Sequence, residues 1–170
     1  EMMRWRRCAL LVTVLVASFG LAGCYEAHSD LSMQTLDEET ARSSLDESNV
    51  MVPEQFRFVG GLNQPSGFPG SPSSYVRFDG PMAVFESSGS LSAANPPFLP
   101  FHDVSCRAPV LSGIDELETL GMACAPTTEV RVSYRFDTSS DDKPMGPGSK
   151  ALVLVADREV THLYVIVEGT

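Results

Sequence analysis

Residues 151–168, ALVLVADREVTHLYVIVE, decide the fold. Positions 151–156 are apolar without a break. A strand with one wet face alternates, so an unbroken run of this length implies burial on both faces. Asp157, Arg158 and Glu159 then interrupt the run with three charges, as a turn does. Residues 160–168 (VTHLYVIVE) return as an antiparallel partner, with His162, Tyr164 and Ile166 on one face. Upstream, residues 129–137 (EVRVSYRFD) alternate. Val130, Val132, Tyr134 and Phe136 share one side, so this is a half-exposed strand lying beside the hairpin. Residues 138–149, acidic and rich in Gly and Pro, read as the loop between.

Working outward, the pattern weakens. Residues 55–59 (QFRFV) and 75–79 (YVRFD) read as short strands separated by a Gly-, Pro- and Ser-rich loop over 60–74. Asp79-Gly80-Pro81 looks like a helix start, because Asp caps and Pro suits the first turn. Met82, Val84, Phe85 and Leu91 would form that helix's buried side, and Asn95-Pro96-Pro97 would end it. Residues 96–118 look irregular, and 120–124 (LGMAC) read as another strand. The expectation is an α+β domain: a small antiparallel β-sheet of about five or six strands with one helix packed on a face. The alternative is an all-β sandwich in which residues 82–86 form a strand.

The N-terminus carries an address. Arg4, Arg6 and Arg7 precede eleven uncharged residues, 9–19 (ALLVTVLVASF), and then Leu21-Ala22-Gly23-Cys24. About 20 apolar residues are needed to span a bilayer, so this core is short; it suits the apolar region of an export signal. The stretch from Met3 to Cys24 resembles the type II signal peptide and lipobox of bacterial lipoproteins. The resemblance implies cleavage before Cys24, a diacylglyceryl group on its thiol, and anchoring to the cell membrane or envelope of a bacterium. Two or more acyl chains hold a protein stably on a membrane. The organisation expected is a signal over 1–23, a lipidated Cys24 with an acidic flexible tether over 24–52, and a globular domain over 53–170. The tether reading rests on eight acids against Arg42 alone in residues 25–55, with no aromatic between Tyr25 and the end of that stretch.

Charge narrows the partners. The chain has 12 basic and 22 acidic residues. Loss of Arg4, Arg6, Arg7 and Glu1 with the signal takes the net charge from −10 to −12. Nucleic acid wants a basic patch, and anionic lipid repels an acidic body; the membrane is met through the lipid alone. Cys8 leaves with the signal and Cys24 takes the lipid, so Cys106 and Cys124 remain as a pair. In an oxidising compartment they are expected to form a disulfide, worth ~3 kcal/mol for a loop of this length in the chain-entropy model. Two free thiols and a metal site are the alternatives.

Catalytic motifs are scarce: the sequence has no G-x-S-x-G, H-E-x-x-H or P-loop. His102-Asp103 invites an acid–base reading but also suits a plain loop dipeptide. His162 reads as a packed strand residue. Asp137, Asp141 and Asp142 suggest calcium, without an EF-hand pattern. Phe98-Leu99-Pro100-Phe101 is apolar for a loop and could cover a core or meet a partner. The reading reached is a lipid-anchored envelope module that binds a ligand or protein without catalysis and without a cofactor. The alternative is a small surface hydrolase.

Overall fold

The computed structural model describes residues 32–67, 69–111, 113–135 and 141–170. The signal peptide and Cys24 lie outside the described residues. Among the described residues seven strands are present: β1 (Gln34–Leu36), β2 (Arg57–Gln64), β3 (Ser73–Pro81), β4 (His102–Val104), β5 (Val130–Arg135), β6 (Lys150–Asp157) and β7 (Val160–Val167). Four helices accompany them: α1 (Glu38–Glu47), α2 (Ala83–Glu86), α3 (Gly89–Ala94) and α4 (Ile114–Thr119). The strands form one antiparallel sheet in the order β1-β2-β3-β7-β6-β5-β4. The sheet thus has more strands than the five or six expected, the helices number four where one was expected, and the sandwich alternative falls to a single sheet.

The hairpin that decided the reading sits at the centre. β6 pairs with β7 from Lys150↔Val167 to Asp157↔Val160, and Arg158 turns the chain at φ 55°. Ala151, Val153 and Val155 face one core with Tyr164 and Ile166. Leu152 and Leu154 face the other with Leu163 and Val165. Both faces of the sheet are therefore covered. The first core is closed by Val110, Leu111, Leu117 of α4 and Met122. The second is closed by Ala41 and Leu45 of α1, Val84 and Phe85 of α2, and Leu91 of α3.

The tether over 24–52 is corrected from residue 34 onward. Leu31–Thr170 form one compact unit, and the segment assigned to the tether supplies β1 and α1. Asp37 caps α1, its carboxylate accepting from the Thr40 amide at 2.8 Å, which holds the Asp37 carboxyl below its ordinary range. Glu38 and Glu39 follow in the first turn, where acids favour the helix dipole. Ala41 and Leu45, four apart, are 0% and 2% exposed, and Val50 is 1% exposed. Three small or medium apolar residues suffice here because the sheet supplies the rest of the core, so the segment's polar composition describes only its outer side.

Three other expectations change. Residues 60–64 and 73–74 are strand, so the expected 60–74 loop shrinks. A bulge between Phe58 and Gly60 keeps β2 in register, and Gly61 lets β1 approach: a Cβ there would lie 3.0 Å from that of Leu36. Asp79-Gly80-Pro81 ends β3 instead of starting a helix, because all three pair with β7 and the ladder outweighs the local cap signal. Residues 120–124 are no strand; α4 precedes them, and Gly121 turns the chain at φ 90°. Cys106 and Cys124 stand at disulfide distance, with Cα atoms 5.7 Å apart.

Gly80 faces the ring of Phe56, which is 1% exposed; a Cβ at 80 would meet ring carbons at 2.6 Å. Gly80→Ala is therefore expected to cost about 1–3 kcal/mol, read as a lower urea midpoint with an unchanged slope.

Candidate functional site

The candidate site lies at the β4 edge. β4 is the last strand of the sheet and pairs only with β5. A groove of about 580 Å³ opens beside it, between α2 and the start of β5. Met82, Phe85, Val104 and Val130 give it an apolar lining, and Glu86, Asp103, Glu129 and Arg131 give it charge. Arg131 lines it. The Nη1 atom donates to the Phe85 carbonyl at 2.8 Å, and Nε lies 3.4 Å from the Asp103 carboxylate. The guanidinium carbon stands 5.9 Å from the centroid of the Phe85 ring. Arg131 therefore ties β5, β4 and α2 into one wall. A second cleft of about 460 Å³, bordered by Cys106 and Cys124, adjoins the first through Val104 and Thr128. The Thr128 hydroxyl donates to the Ala123 carbonyl and accepts from the Ala125 amide, so it is already engaged.

The sequence neighbours His102 and Asp103 point to different partners. Asp103 faces Arg131, whereas His102 Nε2 lies 2.9 Å from Asp141 Oδ1 and its Nδ1 3.4 Å from the Pro100 carbonyl. The His102 ring also meets the Tyr134 ring edge-on, centroids 5.6 Å apart. The two nitrogen contacts are to a carboxylate and a carbonyl, and neither is to a hydroxyl or thiol that the ring could activate.

His162 sits in a second polar group that sequence reading did not assemble. Its Nδ1 is 2.7 Å from Asp79 Oδ1, and its Nε2 is 3.5 Å from Asp157. Arg77 Nε and Nη2 donate to Asp79, and Nη1 donates to the Leu120 carbonyl at 2.8 Å. The group pins the end of α4 to the sheet. Burial pushes the Asp79 carboxyl up, but the hydrogen bonds from Arg77 and His162 outweigh it and hold the carboxyl below its ordinary range. Its stabilising contribution is present above the unfolded carboxylate range and is lost as pH falls through the folded value. The register Asp79↔His162 is the signal that would have found the pair, and it exists only in the sheet.

At the opposite end of β7, burial is the chief cause that raises the Glu168 carboxyl, and Glu116 on α4 adds to it. Ser73 and Tyr75 hydroxyls donate to it at 3.3 and 3.5 Å. A raised carboxylate contributes stability that is full below its unfolded range and lost as pH rises through the folded value. Glu168→Gln is expected to raise the melting temperature modestly at pH 7 and to lose that advantage at pH 4. An equal or larger advantage at pH 4 would show that burial does not govern this site.

Among the described residues no group of three or more His, Cys, Asp or Glu is placed to hold a metal; Asp137 of the acidic loop lies outside them. Phe98 is buried in the second core with Phe101 packed against it, so the apolar loop mainly covers the sheet; Leu99 stays 52% exposed. No described helix is long and apolar enough to cross a membrane. Comparison of the chain with protein-family models, with curated proteins and with solved structures finds no match.

Proposed function

We propose that this chain is an exported bacterial lipoprotein, anchored to the cell membrane or envelope through Cys24, whose domain binds a ligand or protein partner at the β4 groove without catalysis. The groove carries this reading. It combines an apolar lining with one fixed guanidinium and carboxylates at its rim, which is how binding sites secure affinity and orientation together. His102 and His162 contact carboxylates, a carbonyl and a guanidinium but no nucleophilic hydroxyl or thiol, which favours binding over the hydrolase alternative. The pairing of Cys106 with Cys124 suits an oxidising compartment.

Two measurements test the two halves. Cys24→Ser is expected to leave an uncleaved precursor that takes up no labelled fatty acid; cleavage and labelling like the parent chain would remove the lipoprotein reading. A photo-crosslinking residue in place of Val104 is expected to capture an envelope component in living cells, while one in place of Glu39 on α1 does not. Absence of any adduct at 104 would remove the groove as the binding site.

A further inference from the structure

We propose that the occupant of this groove is an extended, basic polypeptide segment that adds to the sheet along β4. The inference rests on the groove being the binding site and specifies its ligand. β4 presents a strand edge that no other described strand covers, and an extended chain is the ligand that can use unpaired backbone groups in this way. Val104 borders both clefts, so a chain lying along this edge reaches the groove on one side and the cleft beside the disulfide on the other. Alternate side chains of a strand point to opposite faces, which matches two clefts flanking one edge.

Charge selects the chemistry. Glu86, Asp103 and Glu129 are exposed along the groove. Their one counter-charge there, Arg131, is held by the Phe85 carbonyl and Asp103. The groove therefore presents excess negative charge above an apolar floor, and the complement is lysine or arginine alternating with apolar residues. A second copy of this chain fits poorly, because its net charge of −10 would bring like charge to like. An acidic peptide is disfavoured for the same reason.

The test uses residues 24–170 carrying Cys24→Ser, labelled with 15N. The probe is a short acetylated, amidated peptide of alternating lysine and valine. A glutamate–valine peptide of equal length and free lysine amide serve as comparisons. The lysine–valine peptide is expected to shift the amides of residues 102–104 together with Glu86 and Glu129. Free lysine amide should bind about tenfold or more weakly, for want of backbone pairing. Glu86→Gln with Glu129→Gln, or high salt, should weaken the peptide about tenfold, and the melting temperature of the double variant should match the parent's. Equal binding of the glutamate–valine peptide overturns the charge assignment. Equal binding of lysine amide, or peptide binding with no shift at 102–104, overturns strand addition. No binding by the lysine–valine peptide overturns both. An adduct from position 104 in cells alongside that last result would leave the groove as a binding site and discard only its proposed occupant; no adduct would discard the site as well.

Discussion

A fragment beginning at Pro53 is expected to show no cooperative unfolding, whereas residues 32–170 unfold in one transition. The fragment lacks Ala41, Leu45 and Val50, all within 2% of full burial. Removing one buried leucine side chain costs about 2–5 kcal/mol, and here three buried side chains leave together with the β1 ladder. Two polar groups would also lose a partner. Asn95, 2% exposed, accepts from the Met51 amide and donates to the Met51 carbonyl, both at 2.8 Å. Lys150 Nζ donates to the Ser48 carbonyl at 2.6 Å. Leaving a buried amide unpaired costs about 1–3 kcal/mol. The sum is comparable to the ~5–15 kcal/mol that holds an ordinary domain folded. Circular dichroism against urea and dye binding to exposed apolar surface would read the result. A fragment from Pro53 that melts at the same temperature as residues 32–170 would mean that α1 is only laid on the surface.

Reduction of the Cys106–Cys124 pair is expected to destabilise the domain by ~2–4 kcal/mol, a fall in melting temperature of about 10 °C. The loop between the two cysteines holds Val110, Leu111 and Leu117, which are 0%, 4% and 0% exposed and close the first core. It has little ladder of its own: α4 spans only six residues. The bridge fixes both ends of this cover, so hydrogen exchange should rise first over residues 105–124 and last in β6 and β7. Because Cys106 and Cys124 border the cleft that adjoins the groove, reduction should also weaken ligand capture from position 104. Mass spectrometry without reductant gives the direct check. Two alkylatable thiols at Cys106 and Cys124 in the exported chain would refute the bridge and reopen the metal reading.

The central sheet was legible because burial on both faces leaves a one-dimensional mark. No polar residue interrupts 151–156, and the alternation in 129–135 places Val130, Val132 and Tyr134 on the core side, where they lie. The two cysteines were legible as a pair by elimination. Short elements were not. β4 and α4 are three and six residues long, too short to repeat a period, and each contributes one or two apolar side chains. α1 was hidden because its exposed side dominates its composition.

The candidate site was hidden for a different reason. His102-Asp103 drew attention as neighbours, yet in a strand neighbours point to opposite faces. Asp103 meets Arg131 across the ladder, and His102 meets Asp141 from a distant loop. By itself the sequence determined the central strands, their antiparallel return and the pairing of the last two cysteines. Each depends on a residue's own polarity or on simple elimination. Only the tertiary structure decided that the acidic segment from residue 34 belongs to the core, that Asp79 joins His162 instead of capping a helix, and that Glu86, Asp103, Glu129 and Arg131 share one groove. Those depend on which strands lie side by side, and register is a property of the assembled sheet.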